Sequence, residues 1–252
     1  MFRDTRLLRL HASPQPDLLV CFPHAGTGAS AFRPWTAKLK LSASVALVQL
    51  PGREDRMHEA FSQTLAEVSV QIADELAAVR AGTLFLFGHS MGASIAWAVA
   101  AQLWRRHGLR PIVILSAQSP DVPLRDLGRR PGDLREWFAL LGEDFPKALE
   151  NPELLEIFQR TLSADCAWME RELAEPPAGR LPIDLHCVYA TQDGLATREA
   201  VARWRDHTSA SFSITPMRGG HMYFLKESEE LLAFVHHLIE VCKHDADSTC
   251  IG

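Results

Sequence analysis

The segment Gly88-His89-Ser90-Met91-Gly92 has the pattern G-x-S-x-G. Apolar Leu84-Phe85-Leu86-Phe87 runs directly into it, and Ala96, Val99, Ala100 and Leu103 keep helical spacing after it. A strand that breaks sharply into a helix thrusts the serine hydroxyl out of the turn, provided nearby side chains are absent. Gly88 and Gly92 supply that absence. The pattern alone arises by chance about 0.1 times in a chain of this length, so the strand-to-helix context carries the weight. The chemistry it points to is acyl transfer through a covalent acyl-serine. The bland alternative is a glycine-rich turn with no chemistry.

A serine hydroxyl is a weak nucleophile and needs a base that a third group holds in place. After a turn of this kind the partners follow in the order Ser, Asp or Glu, His. They belong at loops after later strands, because the carboxyl edge of an open α/β sheet carries the site. Asp193 ends the strand containing Val188 and Tyr189, whereas Asp184 sits at a strand entry and Asp206 at a helix end. His221 follows the last strand through Gly219-Gly220, which leaves the backbone free to aim the ring. His207 ends a helix, and His236 and His237 lie within the terminal helix. The expected catalytic set is therefore Ser90, Asp193 and His221. Two backbone amides must also converge on the developing oxyanion. Met91, the residue after the serine, is one; Ala25, in the loop His24-Ala25-Gly26 after the first strong strand, is the other.

These residues require a sheet edge to gather them, and the patterning supplies one. Strands are expected at Asp17–Pro23, Ser44–Leu50, Leu84–Phe87, Pro111–Leu115, Ile183–Ala190 and Ser211–Thr215, with helices between them; Leu84–Phe87 and Pro111–Leu115 read as buried on both faces. That alternation favours an α/β fold, a mostly parallel sheet flanked by helices. Thr64 and Glu67 read as a capping box, and Leu65, Val68, Ile72, Leu76 and Val79 follow at helical spacing. The rhythm changes between about 121 and 180. Leu134, Trp137, Phe138 and Leu141 form one helical face. Asn151-Pro152-Glu153 is a helix start, with Leu154, Ile157, Phe158 and Leu162 on one stripe behind it. The expectation is one domain, 1–252, with a helical lid inserted at about 121–180. A terminal helix should run from about Glu227 to Lys243, before a polar, frayed end.

With 252 residues, 47% hydrophobic and 23% charged, the chain is long enough to bury a core without staples. A net charge of -5 argues against nucleic acid as the partner. No apolar run approaches a membrane span, and the arginine-bearing start lacks the apolar core of a signal peptide. The five cysteines, Cys21, Cys166, Cys187, Cys242 and Cys250, are scattered and form no C-x-x-C pair. A cytoplasmic, reduced setting is expected, with no metal and no cofactor.

Four segments together, Cys21-Phe-Pro-His-Ala-Gly26, Leu50-Pro-Gly-Arg53, Gly88-His-Ser-Met-Gly92 and Gly219-Gly-His221, resemble the α/β-hydrolase superfamily. More narrowly, they resemble the type II thioesterases of nonribosomal peptide and polyketide synthesis. Asn151-Pro-Glu-Leu154 and Ala164-Asp165 echo that family too, whereas Thr27 replaces its usual glycine and Met222 its usual aromatic. The resemblance implies the same nucleophile, acid and base, the same oxyanion amides, and the α/β-hydrolase fold. It further implies hydrolysis of acyl thioesters held by phosphopantetheine on a carrier domain, removing stalled or aberrant acyl groups. The chain is expected to act as a monomer. Two uses of the early lid region follow. Trp137, Phe138, Phe145, Phe158 and Trp168 either line an acyl channel or, more simply, pack the lid onto the body. Arg125, Arg129, Arg130 and Arg135 either steer an acidic carrier domain or form a solvated helix face. A carboxylesterase or lipase using the same triad on oxoesters is the rival enzyme. A non-catalytic hydrolase-fold binding module is the rival of a different class.

Overall fold

In the computed structural model, which describes residues 4–39, 42–79, 81–121, 134–226 and 228–248, seven strands form one sheet. They are β1 (Leu8–His11), β2 (Leu18–Phe22), β3 (Ser44–Val48), β4 (Leu84–His89), β5 (Ile112–Ser116), β6 (Leu185–Ala190) and β7 (Phe212–Met217). Their order is β1-β3-β2-β4-β5-β6-β7, and every pairing is parallel except β1 with β3. The strands β2 and β3 are buried at every position, which is why they read as continuous apolar runs rather than alternating ones. Edge strand β1 shows the opposite pattern: Leu8 is buried and His11 exposed. A four-residue strand with one buried face gives little sequence signal, and the patterning above does not include it.

The chain leaves β2 for β3 on one side, then returns to place β4 on the other side of β2. That reversal is the topological switch point where open α/β sheets form their ligand crevice. The loops after β2 and β4 flank it. Helix α1 (Arg33–Lys38) follows β2, α2 (Leu65–Ala77) precedes β4, and α3 (Met91–His107) leaves it. The capping box is present: Glu67 N donates to Thr64 Oγ1 at 3.2 Å and Thr64 N to Glu67 Oε2 at 2.8 Å.

Between β5 and β6 lie α4 (Leu134–Leu140) and α5 (Pro152–Glu172), with no strand between them among the described residues. Asn151 caps α5, its Oδ1 accepting from the amides of Glu153 and Leu154 at 2.9 and 3.3 Å. The expected buried stripe of α5 is displaced. Leu154 and Ile157 are 47% and 42% exposed, and burial begins at Thr161 and Leu162 and continues through Asp165, Trp168 and Met169. Beside them Leu155 and Phe158 are half-buried against the core, Phe158 next to Gly26, so the buried face of these turns is offset from the expected stripe. Trp168 fastens the other end, donating from Nε1 to the Gln63 carbonyl at 2.8 Å and stacking on Phe61.

Helix α6 (Arg198–Ala202) is capped by Thr197, and α7 (Tyr223–Lys226) precedes the terminal α8 (Ser228–Ser248). The terminal helix thus continues past Lys243 instead of fraying there. The residues His244-Asp-Ala-Asp-Ser248 contain neither glycine nor proline, so nothing in them stops a helix.

Candidate active site

The turn from β4 to α3 holds Ser90 at φ 52° and ψ -122°, a left-handed strained conformation for a side-chain-bearing residue. The backbone approach around it is close. A Cβ on Gly88 would lie 2.2 Å from the Gly92 carbonyl oxygen, and one on Gly92 would lie 2.1 Å from the Phe22 carbonyl oxygen. The two glycines are therefore steric requirements of the turn and of its packing on β2. Ser90 N donates to the Ser116 carbonyl at 2.9 Å, tying the elbow to the end of β5.

Beyond the β6–β7 ladder, Thr191 N donates to the Met217 carbonyl at 2.9 Å and Gln192 N to the Gly219 carbonyl at 3.0 Å. The loops bearing Asp193 and His221 are thereby zipped together. His221 N donates to the Leu141 carbonyl at 3.2 Å, so the segment after α4 also seats the histidine. Asp193 Oδ1 accepts from the amides of Leu195 and Ala196 at 2.8 and 3.1 Å, leaving Oδ2 for the imidazole.

His221 Nδ1 lies 2.8 Å from Asp193 Oδ2, and His221 Nε2 lies 3.1 Å from Ser90 Oγ. With Nδ1–H donating to the carboxylate, Nε2 has its lone pair toward the serine hydroxyl. Burial pushes the Asp193 carboxyl up, but its bonds to His221 and to the Ala196 and Leu195 amides outweigh burial and hold it below the usual carboxylate range. The carboxylate is thus ionised and fixed, and the serine can lose its proton to a held base.

Two further histidines surround this set. His24 is pushed down to about 3, chiefly by burial and secondarily by the charge of His221. His89 is fully buried and pushed well below the ordinary range, again chiefly by burial; its Nδ1 lies 2.9 Å from Ser116 Oγ. Ser116 Oγ in turn bonds the Tyr223 hydroxyl. Both neighbouring rings are therefore neutral and do not compete with His221 for a proton.

Ser90 and His221 line a narrow cavity of about 40 Å³. Ala25, Gln118, Trp137, Cys166, Met169 and Met222 are among its lining residues. Met91 opens α3, whose first amides have no partner within the helix. Gln118, unmarked in the sequence, has its side chain braced by a bond from Nε2 to Ser94 Oγ at 3.1 Å. A larger cleft of about 240 Å³ lies between α2, α3 and the segment after α5, but no imidazole lines it. Among the described residues no group of three or more His, Cys, Asp or Glu is placed to hold a metal ion. No described helix is long and apolar enough to cross a membrane.

The other candidates lie elsewhere. Asp184 Oδ1 accepts from Ser211 N at 3.1 Å, Asp206 is exposed, and His207, His236 and His237 are away from the cavity. Of the five aromatics, Trp137 lines the cavity, while Phe138 packs on Phe145 and Phe158 and Trp168 on Phe61. Arg125, Arg129 and Arg130, with Asp126 and Asp133, lie outside the described residues; Arg135 sits 4.2 Å above the Phe145 ring. Arg53 and Asp165, quoted above only within segments of the family resemblance, form a buried ion pair that local patterning does not reveal; its one sign is a carboxylate on the buried face of α5, between Leu162 and Trp168.

Known proteins share this architecture. The chain is 33% identical over 233 residues to thioesterase PikA5 of Streptomyces venezuelae, covering 88% of this chain and 81% of that protein. The structure of RedJ, a thioesterase from the prodiginine biosynthetic pathway of Streptomyces coelicolor, superposes with a TM-score of 0.77 at 31% identity, covering 89% of this chain and 86% of RedJ. YbtT, a type II thioesterase from the yersiniabactin NRPS/PKS pathway, shares the fold with a TM-score of 0.71 at 24% identity, over 91% of this chain and 96% of YbtT. The thioesterase domain family matches residues 18–239, from the start of β2 into α8. That span contains both sheet-edge loops, the elbow and the covering helices, and the chain belongs to the thioesterase family, of the α/β-hydrolase fold.

Proposed function

We propose that Ser90, His221 and Asp193 are the nucleophile, base and orienting carboxylate of a thioesterase acting on acyl groups carried by phosphopantetheine. The observation that carries this is the continuous path from Ser90 Oγ to His221 Nε2 at 3.1 Å and from His221 Nδ1 to Asp193 Oδ2 at 2.8 Å. Ser90 Oγ attacks the thioester carbonyl while its proton passes to Nε2. The amides of Ala25 and Met91 receive the oxyanion. Collapse breaks the C–S bond, Nε2 returns the proton to the thiolate, and an acyl-serine remains. Water, deprotonated by the same imidazole, then releases the free acid and restores the serine. A thiolate leaves more easily than an alkoxide, which makes acylation the less demanding half.

Helices α4 and α5 act as a lid of the single domain: Trp137 and Leu141 at one and Cys166 and Met169 at the other line the cavity. The partner is an acyl or peptidyl carrier domain, as the relatives from polyketide and nonribosomal peptide pathways support. The chain acts as a monomer. A reduced, cytoplasmic setting suits Cys21 and Cys187, which are fully buried free thiols. Incubation with a panel of acylated carrier domains, followed by intact-protein mass spectrometry, tests the reading. The expected result is loss of the acyl mass with the phosphopantetheine retained, and no loss with Ser90→Ala. Equal hydrolysis of oxoesters and no action on any acyl carrier would overturn it.

A further inference from the structure

The turn that carries Ala25 is held from outside by four side chains. Thr27 N closes it onto the His24 carbonyl at 3.4 Å. Gly26 has φ +83° and Ala25 does not share that positive φ, which makes the turn type II. The soft motion of such a turn is a flip of its central peptide, here Ala25–Gly26, toward the type I form. Asp165 Oδ2 accepts from the amide of that same peptide, Gly26 N, at 2.8 Å. Arg53 grips the carboxylate in a fork, Nη1 to Oδ2 at 2.8 Å and Nη2 to Oδ1 at 2.7 Å. Arg53 Nη1 also donates to the Thr27 carbonyl at 3.0 Å, and Nε to the Pro51 carbonyl at 3.2 Å. Further along the loop, Gln49 Oε1 accepts from Ala29 N at 2.7 Å and Glu54 Oε1 from Ser30 N at 3.1 Å.

The ion pair is deeply buried, with side chains 3% and 0% exposed. Such pairs are poor stabilisers, since desolvation offsets much of their attraction. A fork aimed at a flippable peptide has a clearer use. If the peptide turned over, the Ala25 carbonyl oxygen would meet the Asp165 carboxylate, like facing like. Asp165 also belongs to α5, whose Cys166 and Met169 line the cavity. The turn and the covering helix are thus bolted to one guanidinium.

We infer that the Arg53–Asp165 ion pair is a positioning device for the oxyanion turn, locking its central peptide and coupling the Ala25 amide to the seating of α5. The inference rests on the Ala25 role proposed above. It accounts for Leu50-Pro-Gly-Arg53, a segment with no place in the triad.

Two variants test it: Asp165→Asn, and Arg53→Met with Asp165→Leu. The second removes both charges together, so no lone buried charge remains and the fold is kept, yet Gly26 N loses its acceptor. The readouts are kcat and KM on a butyryl thioester, inhibition by an alkyl trifluoromethyl ketone whose Ser90 adduct fills the oxyanion site, and affinity for a matched thioether. The expected result is a stable protein with kcat lowered about 10- to 100-fold. Ketone inhibition should weaken in parallel with kcat/KM, while KM and thioether affinity stay within about twofold. A folded double variant at wild-type kcat overturns the inference. So does a loss confined to KM and thioether binding, or failure of both variants to fold, which assigns the pair to stability alone. Ser90→Ala runs alongside. If it keeps turnover, the proposed chemistry itself falls; if it is dead while the Asp165 variants run at full rate, only the positioning role falls.

Discussion

Around Ser90 the chain is positioned by backbone, whereas in α5 it is positioned by a few side chains. The elbow is shaped by two glycines whose missing Cβ atoms admit carbonyl oxygens, and by a bond from Ser90 N to β5. The Asp193 and His221 loops are zipped by two more backbone bonds. Helix α5 instead meets the body through the Arg53–Asp165 fork, Trp168 on Gln63 and Phe61, and Leu162. The sheet rim is therefore rigid by construction. Helix α5 is seated by contacts that single substitutions can remove, and the Ala25–Gly26 turn is where the two meet.

The largest effect should come from the rim. Ser90→Ala is expected to lower kcat on the order of a million-fold while leaving thermal stability unchanged, as steady-state kinetics and calorimetry would show. Asp193→Asn should cost roughly ten-thousand-fold in kcat with the fold intact, because the imidazole would then adopt the wrong tautomer. Either variant retaining near-normal turnover would break the claim that backbone placement of these loops serves catalysis.

Gly92→Ala drives a Cβ to within 2.1 Å of the Phe22 carbonyl oxygen, with only backbone to yield. The expected loss is about 3 kcal/mol or more of stability, read by denaturant unfolding. An unperturbed midpoint would show that the elbow adapts and is not rigid.

A smaller, pH-dependent effect sharpens the same contrast. Folded His24 stays neutral down to about 3, whereas the unfolded residue takes a proton near its ordinary 6.5. The unfolded state then binds more protons, so stability is fully present above pH 6.5 and falls as the pH drops toward 3. At pH 5 the cost is about 2 kcal/mol. Asp193, held low, begins to lose its contribution only as the pH falls through the usual carboxylate range, so it adds nothing between pH 7 and pH 5. His24→Gln should shrink the fall in Tm between pH 7 and pH 5 by about 5 °C, with buried His89 keeping part of it. The smallest effect belongs to the outer turns of α5. Exposed Leu154 and Ile157 changed to serine should alter stability by under about 0.5 kcal/mol, by calorimetry.

Strands β2 to β5 were legible because each is an apolar run buried almost throughout, and β1 was not, because it buries one face. Thr64 and Asn151 announced their helices through cap chemistry that is local in sequence. Leu154 and Ile157 misled, since spacing reports a shared face and not what covers it.

Ser90, Asp193 and His221 could be chosen from sequence because each sits at a strand end, and strand ends of a parallel sheet share one edge. That the His221 ring comes within 3.1 Å of Ser90 and 2.8 Å of Asp193 is a property of the folded sheet. Sequence patterning determined the alternation, the elbow and the order of the loops bearing Ser90, Asp193 and His221, all of which depend on neighbours along the chain. The partnership of Arg53 with Asp165 and Gly26 was decided only by tertiary structure. It spans 112 and 139 residues, and no local rule says which buried charge meets which amide.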